Sequence, residues 1–209
     1  GTDFHLGVIG IGTHSECSKP GVLVGQPRYL DNSSADDLSD RIMNIFDDPC
    51  GADAQEAGLE AARLGLTYPT ITDKGTPCGS DAECNVPFAC VDSFCGGPNR
   101  GFMRADAALH VIVISDEEDQ SPLTVEQYLG IFDGIKGPEN GDLFEWHSIV
   151  GPAPGGCDSG GTSAEGGARY IEVSNGTGGQ VQSICVNDYA PLLTSAGTVG
   201  LAYKTAYPL

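Results

Sequence analysis

Four carboxylates stand in a row in VIVISDEEDQS, at Asp116, Glu117, Glu118 and Asp119. Side by side they repel one another unless water or a cation lies between them. Oxygen ligands of this kind suit a hard divalent ion, Mg²⁺ or Ca²⁺, and make Asp116, Glu118 and Asp119 candidate metal ligands. The plainer reading is an exposed acidic loop with Asp119 near a helix start. Asp116 leads the set because it directly follows HVIVIS (His110–Ser115), a β-branched run of the kind that forms a central strand. Open α/β sheets bind ligands beyond the carboxyl ends of their strands.

The eight cysteines carry a different chemistry. Four crowd together in PCGSDAECNVPFACVDSFCGG, as Cys78, Cys84, Cys90 and Cys95. Zinc sites usually offer paired thiolates two to four residues apart, and these gaps are wider and nearly even. Disulfides are the expectation, interleaved as Cys78–Cys90 and Cys84–Cys95, although four cysteines allow three pairings. Cys17 with Cys50 and Cys157 with Cys185 would each close a loop of about 30 residues, worth roughly 3–4 kcal/mol in the chain-entropy model. Such a set belongs in an oxidising, extracellular compartment, with a signal peptide removed or lying upstream of Gly1.

A third motif invites an enzyme reading. Cys157-Asp158-Ser159-Gly160-Gly161 echoes the CxGDSGGP of trypsin-like serine proteases, whose Ser is the nucleophile. Cys157 replaces the Gly before Asp, Thr162 replaces Pro, and none of His5, His14, His110 and His147 stands in an AAHC-like context. A serine hydrolase using Ser159 is therefore the remote alternative, and a flexible loop pinned by Cys157 the ordinary one. His110 and His147 read as core or sheet-end residues rather than ligands, and Trp146 as a packing residue. No GxSxG, HExxH or GxxxxGK[ST] occurs.

The elements that must position these residues follow from periodicity. Lys and Arg total 10 against 29 Asp and Glu, a formal charge of −19, which repels phosphate backbones and anionic lipid. No apolar run reaches the roughly 18–20 residues of a membrane helix. Phe4–Gly12 (FHLGVIGIG) reads as a buried strand, and Val22–Leu30, with Pro27 inside, as an edge strand or ribbon. Ser34 caps a helix with Leu38, Ile42, Ile45 and Phe46 on one face, and ADAQEAGLEAARLGL makes another. Thr124-x-x-Gln127 opens a helix with Val125, Tyr128, Leu129, Phe132 and Ile135 at helical spacing. Leu143–Gly151 reads as a strand, Ala168–Val173 as a short helix, NDYAPLLTSA as another and Val199–Tyr203 as a closing strand. Strands alternating with helices predict an α/β fold with a mostly parallel sheet, spanning 1–74 and 98–209, with 75–97 a disulfide-stapled insert.

LGVIGIG, QEAGLEAARLGL, VIVISDEED, a strand leading into IVGP, and RYIEVSNGTGGQVQSICVNDYAPLL occur in that order. Together they resemble a von Willebrand factor A domain of secreted bacterial type, over most of the chain outside 75–97. The resemblance implies a doubly wound, Rossmann-like sheet with a metal-ion-dependent adhesion site, built from DxSxS, a Thr and a later Asp. Asp116 matches that Asp. The chain has no DxSxS, and Phe4–Gly12 matches the family's second strand, so the first strand and helix are expected outside the sequence or supplied by another segment or chain. Gly51, Ala52 and Asp53 stand where Thr would, leaving Asp53 as a substitute oxygen ligand or a helix N-cap. The implied function is an extracellular, non-enzymatic adhesion or protein-recognition module, its cation bridging to an acidic side chain of a protein partner. The alternative is a disulfide-stabilised structural domain of a larger surface protein, with no working metal site.

Overall fold

The computed structural model describes residues 3–13, 19–32, 56–73, 75–85, 88–91, 93–159, 163–186 and 188–194. They fall into two compact units, Gly1–Arg104 and Ala105–Leu209.

In the first unit, helix α1 (Gly58–Leu66) forms from the Ala/Leu-rich segment and buries Leu59, Ala61, Ala62 and Leu66. Glu60 accepts both guanidinium bonds of Arg63 one turn on, at 2.6 and 2.8 Å. The buried Asn99 amide accepts from Leu23 N (2.8 Å) and donates to Gly21 O (2.8 Å) and Gly65 O (3.0 Å), so one side chain ties three segments. Phe4–Gly12, expected as a strand, instead makes isolated bridges, Leu6 to Leu30 and Gly12 to Glu56. Three glycines in six residues (Gly7, Gly10, Gly12) give the ladder little to pack, which accounts for its failure to extend. The expected helix after Ser34, the closing strand at Val199–Tyr203 and the Cys17–Cys50 pair lie outside the described residues.

The cysteine segment holds a hairpin of β1 (Ala89–Val91) and β2 (Phe94–Gly96), turning through Ser93 at φ 65°. Cys90 and Cys95 face each other across it, and each bonds outward, Cys90 to Cys78 and Cys95 to Cys84. That is the interleaved arrangement, and it staples a stretch with few buried apolar groups.

The second unit is built on three parallel strands in the order β3 (Leu109–Ile114), β4 (Phe144–Val150) and β7 (Val181–Ser183), with Leu109 opposite Phe144 and Ser148 opposite Val181. Helix α2 (Val125–Asp133) follows β3. Thr124 and Gln127 form its capping box, Thr124 N donating to Gln127 Oε1 at 2.9 Å. After β4, a two-residue hairpin of β5 (Cys157–Asp158) and β6 (Ser163–Ala164) precedes helix α3 (Ala168–Gly176). Residues 190–194 are also helical. The described residues are thus mixed α/β, with a parallel three-stranded sheet in the second unit.

Phe132 of α2 stacks on Phe144 and Trp146, and Trp146 on Tyr170 of α3, with centroids 5.3, 5.4 and 6.4 Å apart. All but Phe144 are within 1% of full burial. Both helices therefore cover the face of β4 that carries Phe144, Trp146 and Ser148. Ser148 Oγ accepts from Trp146 Nε1 (3.2 Å) and donates to Tyr170 O (3.1 Å), with Ser174 Oγ 2.7 Å away, so the buried hydroxyl is satisfied. Gly179 lets the chain pass against the Trp146 carbonyl, where a Cβ would collide.

Cys157 and Cys185 are bonded, joining β5 to the segment after β7. Replacing both by Ala is expected to lower stability by about 3–4 kcal/mol, the chain-entropy value for this loop, read by urea unfolding of the two forms.

Candidate functional site

Ser115, buried at the end of β3, folds the acidic turn: Glu117 N donates to its Oγ at 3.1 Å, and the hydroxyl donates on to Glu117 O at 2.9 Å. The turn is then bound to the start of α3. That helix is preceded by Gly167, which has no side chain to cap its first N–H groups. Glu118 supplies the oxygens from another segment. Its Oε2 accepts from Ala168 N at 2.9 Å, and its Oε1 from Arg169 N at 3.1 Å and Asp119 N at 2.9 Å. A carboxylate at this position also meets the positive end of the helix dipole.

Asp119 is equally engaged. Its side chain is fully buried, accepting from Arg169 Nε at 2.9 Å, Ser121 Oγ at 2.7 Å and Ser121 N at 3.2 Å. Arg169 completes the link by donating to Ser121 O (3.0 Å) and Leu123 O (2.7 Å). Glu118 and Asp119, read from the sequence as metal ligands, thus have oxygens filled by protein donors. They do not gather with Asp116 into a group of ligand atoms close enough to share an ion among the described residues. Asp53 lies outside those residues.

Asp116 is placed differently. Its side chain is exposed, with no hydrogen bond or ion pair among the described residues, and its backbone carbonyl accepts from Glu165 N at 2.8 Å. It lines a cleft of about 280 Å³ with Ser159, Ser163, Ile184, Cys185 and Tyr189. Tyr189 is fixed by donating to Ile184 O at 2.6 Å. Ser159 shares the cleft, but His110 and His147 are bonded to each other well down the strands. His147 is in register with Ile112, four residues before Asp116, or about 13 Å along a strand.

Those histidines form a second constellation that the sequence reading missed. His110 of β3 and Glu145 and His147 of β4 project from the sheet face opposite Trp146. His110 Nδ1 lies 3.1 Å from His147 Nε2, and Glu145 Oε2 lies 3.6 and 3.5 Å from those two atoms. The signal was Glu145-x-His147, which strand alternation puts on one face. The register against His110 is not legible in one segment. Gln180 N donates to His147 Nδ1 at 3.1 Å, so the neutral ring carries its proton on Nε2 and donates it to His110 Nδ1.

Burial pushes His147 down to about 4, with the neighbouring His110 ring acting in the same direction. Burial also lowers His110. Cys78, Cys84 and Cys95 are a further close group, but their sulfurs are bonded in disulfides and offer no thiolate.

Comparison of the chain with family models, curated proteins and solved structures returns no match. The disulfides fit an oxidising, extracellular-type environment, and no helix among the described residues is long and apolar enough to cross a membrane.

Because His147 is depressed in the folded chain, the unfolded chain binds its proton more tightly between about pH 6.5 and 4. The stability this ring permits is complete above pH 6.5 and is lost as pH falls toward 4. With no metal bound, His147→Asn, whose amide oxygen can still accept from Gln180 N, should lose roughly 2–3 kcal/mol less than the parent between about pH 7 and pH 4.5. Urea unfolding of both chains at the two pH values measures the difference.

Proposed function

We propose that this chain is an extracellular, non-enzymatic recognition module of the von Willebrand factor A type. Its binding site is the cleft at the carboxyl edge of the parallel sheet, with Asp116 as the ligand-facing charge. The observation that carries the reading is the division of labour in the acidic turn. Glu118 caps α3, Asp119 pairs with Arg169, and Asp116 is left exposed in the cleft. An exposed carboxylate beside Ser159 and Ser163 offers oxygen ligands to Mg²⁺ or Ca²⁺, and an ion held by few protein ligands keeps waters that a partner's carboxylate can replace. The parallel sheet with its helices, the position of Asp116 after β3 and the disulfides support this reading over a nucleic-acid or lipid role, which a charge of −19 opposes.

One observation favours a second reading, a disulfide-stabilised structural domain of a larger surface protein. With Glu118 and Asp119 occupied, a cation in the cleft would have to rely on Asp116, hydroxyls and water.

Thermal unfolding with Mg²⁺, Ca²⁺ and EDTA separates the two. The recognition reading expects a stabilisation of about 2.7 kcal/mol at a metal concentration near 100 Kd, absent from Asp116→Ala. Identical curves for all conditions and both chains would leave the structural domain.

A further inference from the structure

We propose that His110 Nδ1, His147 Nε2 and a carboxylate oxygen of Glu145 form a binding site for a transition-metal ion of the Zn²⁺ class, with one coordination position left open. The three atoms make a triangle with edges of 3.1, 3.5 and 3.6 Å. Zinc bonds of about 2.0–2.1 Å put neighbouring ligands of a tetrahedral ion about 3.3–3.4 Å apart. The triangle therefore has the size of one face of that tetrahedron.

The donor set selects the metal. Two imidazoles and a carboxylate suit Zn²⁺ and its transition-metal neighbours, whereas Mg²⁺ and Ca²⁺ take oxygen ligands. His147 is fully buried, while the His110 and Glu145 side chains keep 17% and 13% of their exposure, which leaves an entry path. The ligands lie on adjacent strands of the sheet, a rigid frame that fixes their separation. His110 stands six residues before Asp116, about 20 Å along a strand, so this site is independent of the cleft.

Binding makes one definite demand on the protein. Without metal, Gln180 N donates to His147 Nδ1 and the ring proton sits on Nε2. A metal on Nε2 requires that proton to move to Nδ1, so the Gln180 N–H must turn away and find another acceptor. One backbone hydrogen bond is small beside three metal–ligand bonds. The displaced amide is a reporter that no adventitious surface ion would disturb.

The test is a Co²⁺ titration of the EDTA-treated full chain, followed by visible ligand-field absorption and then by displacement with Zn²⁺. The expected result is one Co²⁺ per chain with the intense band of a tetrahedral site, bleached by Zn²⁺, together with a shift of the Gln180 amide resonance on Zn²⁺ binding. Glu145→Gln and His147→Asn should each weaken binding by at least about 100-fold, since loss of partners outside the ligand shell alone costs roughly 10–100-fold. Asp116→Ala should leave it unchanged. If His147→Asn does not fold, Glu145→Gln, at a partly exposed position, decides alone. Absence of the intense band in the folded parent, a band that survives Glu145→Gln, or Zn²⁺ saturation without movement of the Gln180 amide would each overturn the proposal.

Discussion

The carboxylate of Glu118 is the contact on which the functional face depends. Helix α3 begins after a glycine, and its first N–H groups need an acceptor that the local sequence does not provide. Glu118 reaches them from 50 residues away and fixes the turn that leaves β3. Asp119 and Arg169 lock the same junction through a buried ion pair. Once these two acids are committed, the turn can present only part of its charge outward, and Asp116 is the residue presented to the cleft.

This changes how an acidic run should be understood. Four adjacent carboxylates suggest a cation because their mutual repulsion needs relief. Here much of that relief comes from protein donors: backbone N–H groups, a guanidinium and the Ser121 hydroxyl. Of the two carboxylates that remain, Glu117 accepts from Gln120 at the surface, and Asp116, beside hydroxyls in a cleft, is compatible with recognition without requiring a preformed ligand cage.

Much of this architecture was legible in the residues. The β-branched VIVI run gave β3 and the Thr124 and Gln127 capping box gave the start of α2, and the wide, even cysteine spacing pointed to disulfides, though not to which of three pairings the four clustered cysteines adopt. What escaped was set by distant contacts. Strand β7 is only Val-Gln-Ser and pairs because β4 offers it an edge. The fate of Glu118 was decided by the missing cap at Gly167, and the meeting of His110 with Glu145 and His147 by the register of two strands. Phe4–Gly12 shows the converse, an apolar segment whose glycines leave it bridged at single points. One sheet thus places a carboxylate and hydroxyls in a cleft beyond its carboxyl edge and a histidine–carboxylate cluster lower on its face.

The division of labour in the acidic turn, with Glu118 and Asp119 structural and Asp116 presented to the cleft, is most directly tested by side-chain carboxyl ¹³C resonances during a Mg²⁺ titration. The Asp116 resonance should move with saturable dependence on Mg²⁺ while those of Glu118 and Asp119 stay in place. A joint shift of all three would mean that they share the ion, and an unresponsive Asp116 would mean that the cleft does not use its charge to hold one; either result contradicts the account.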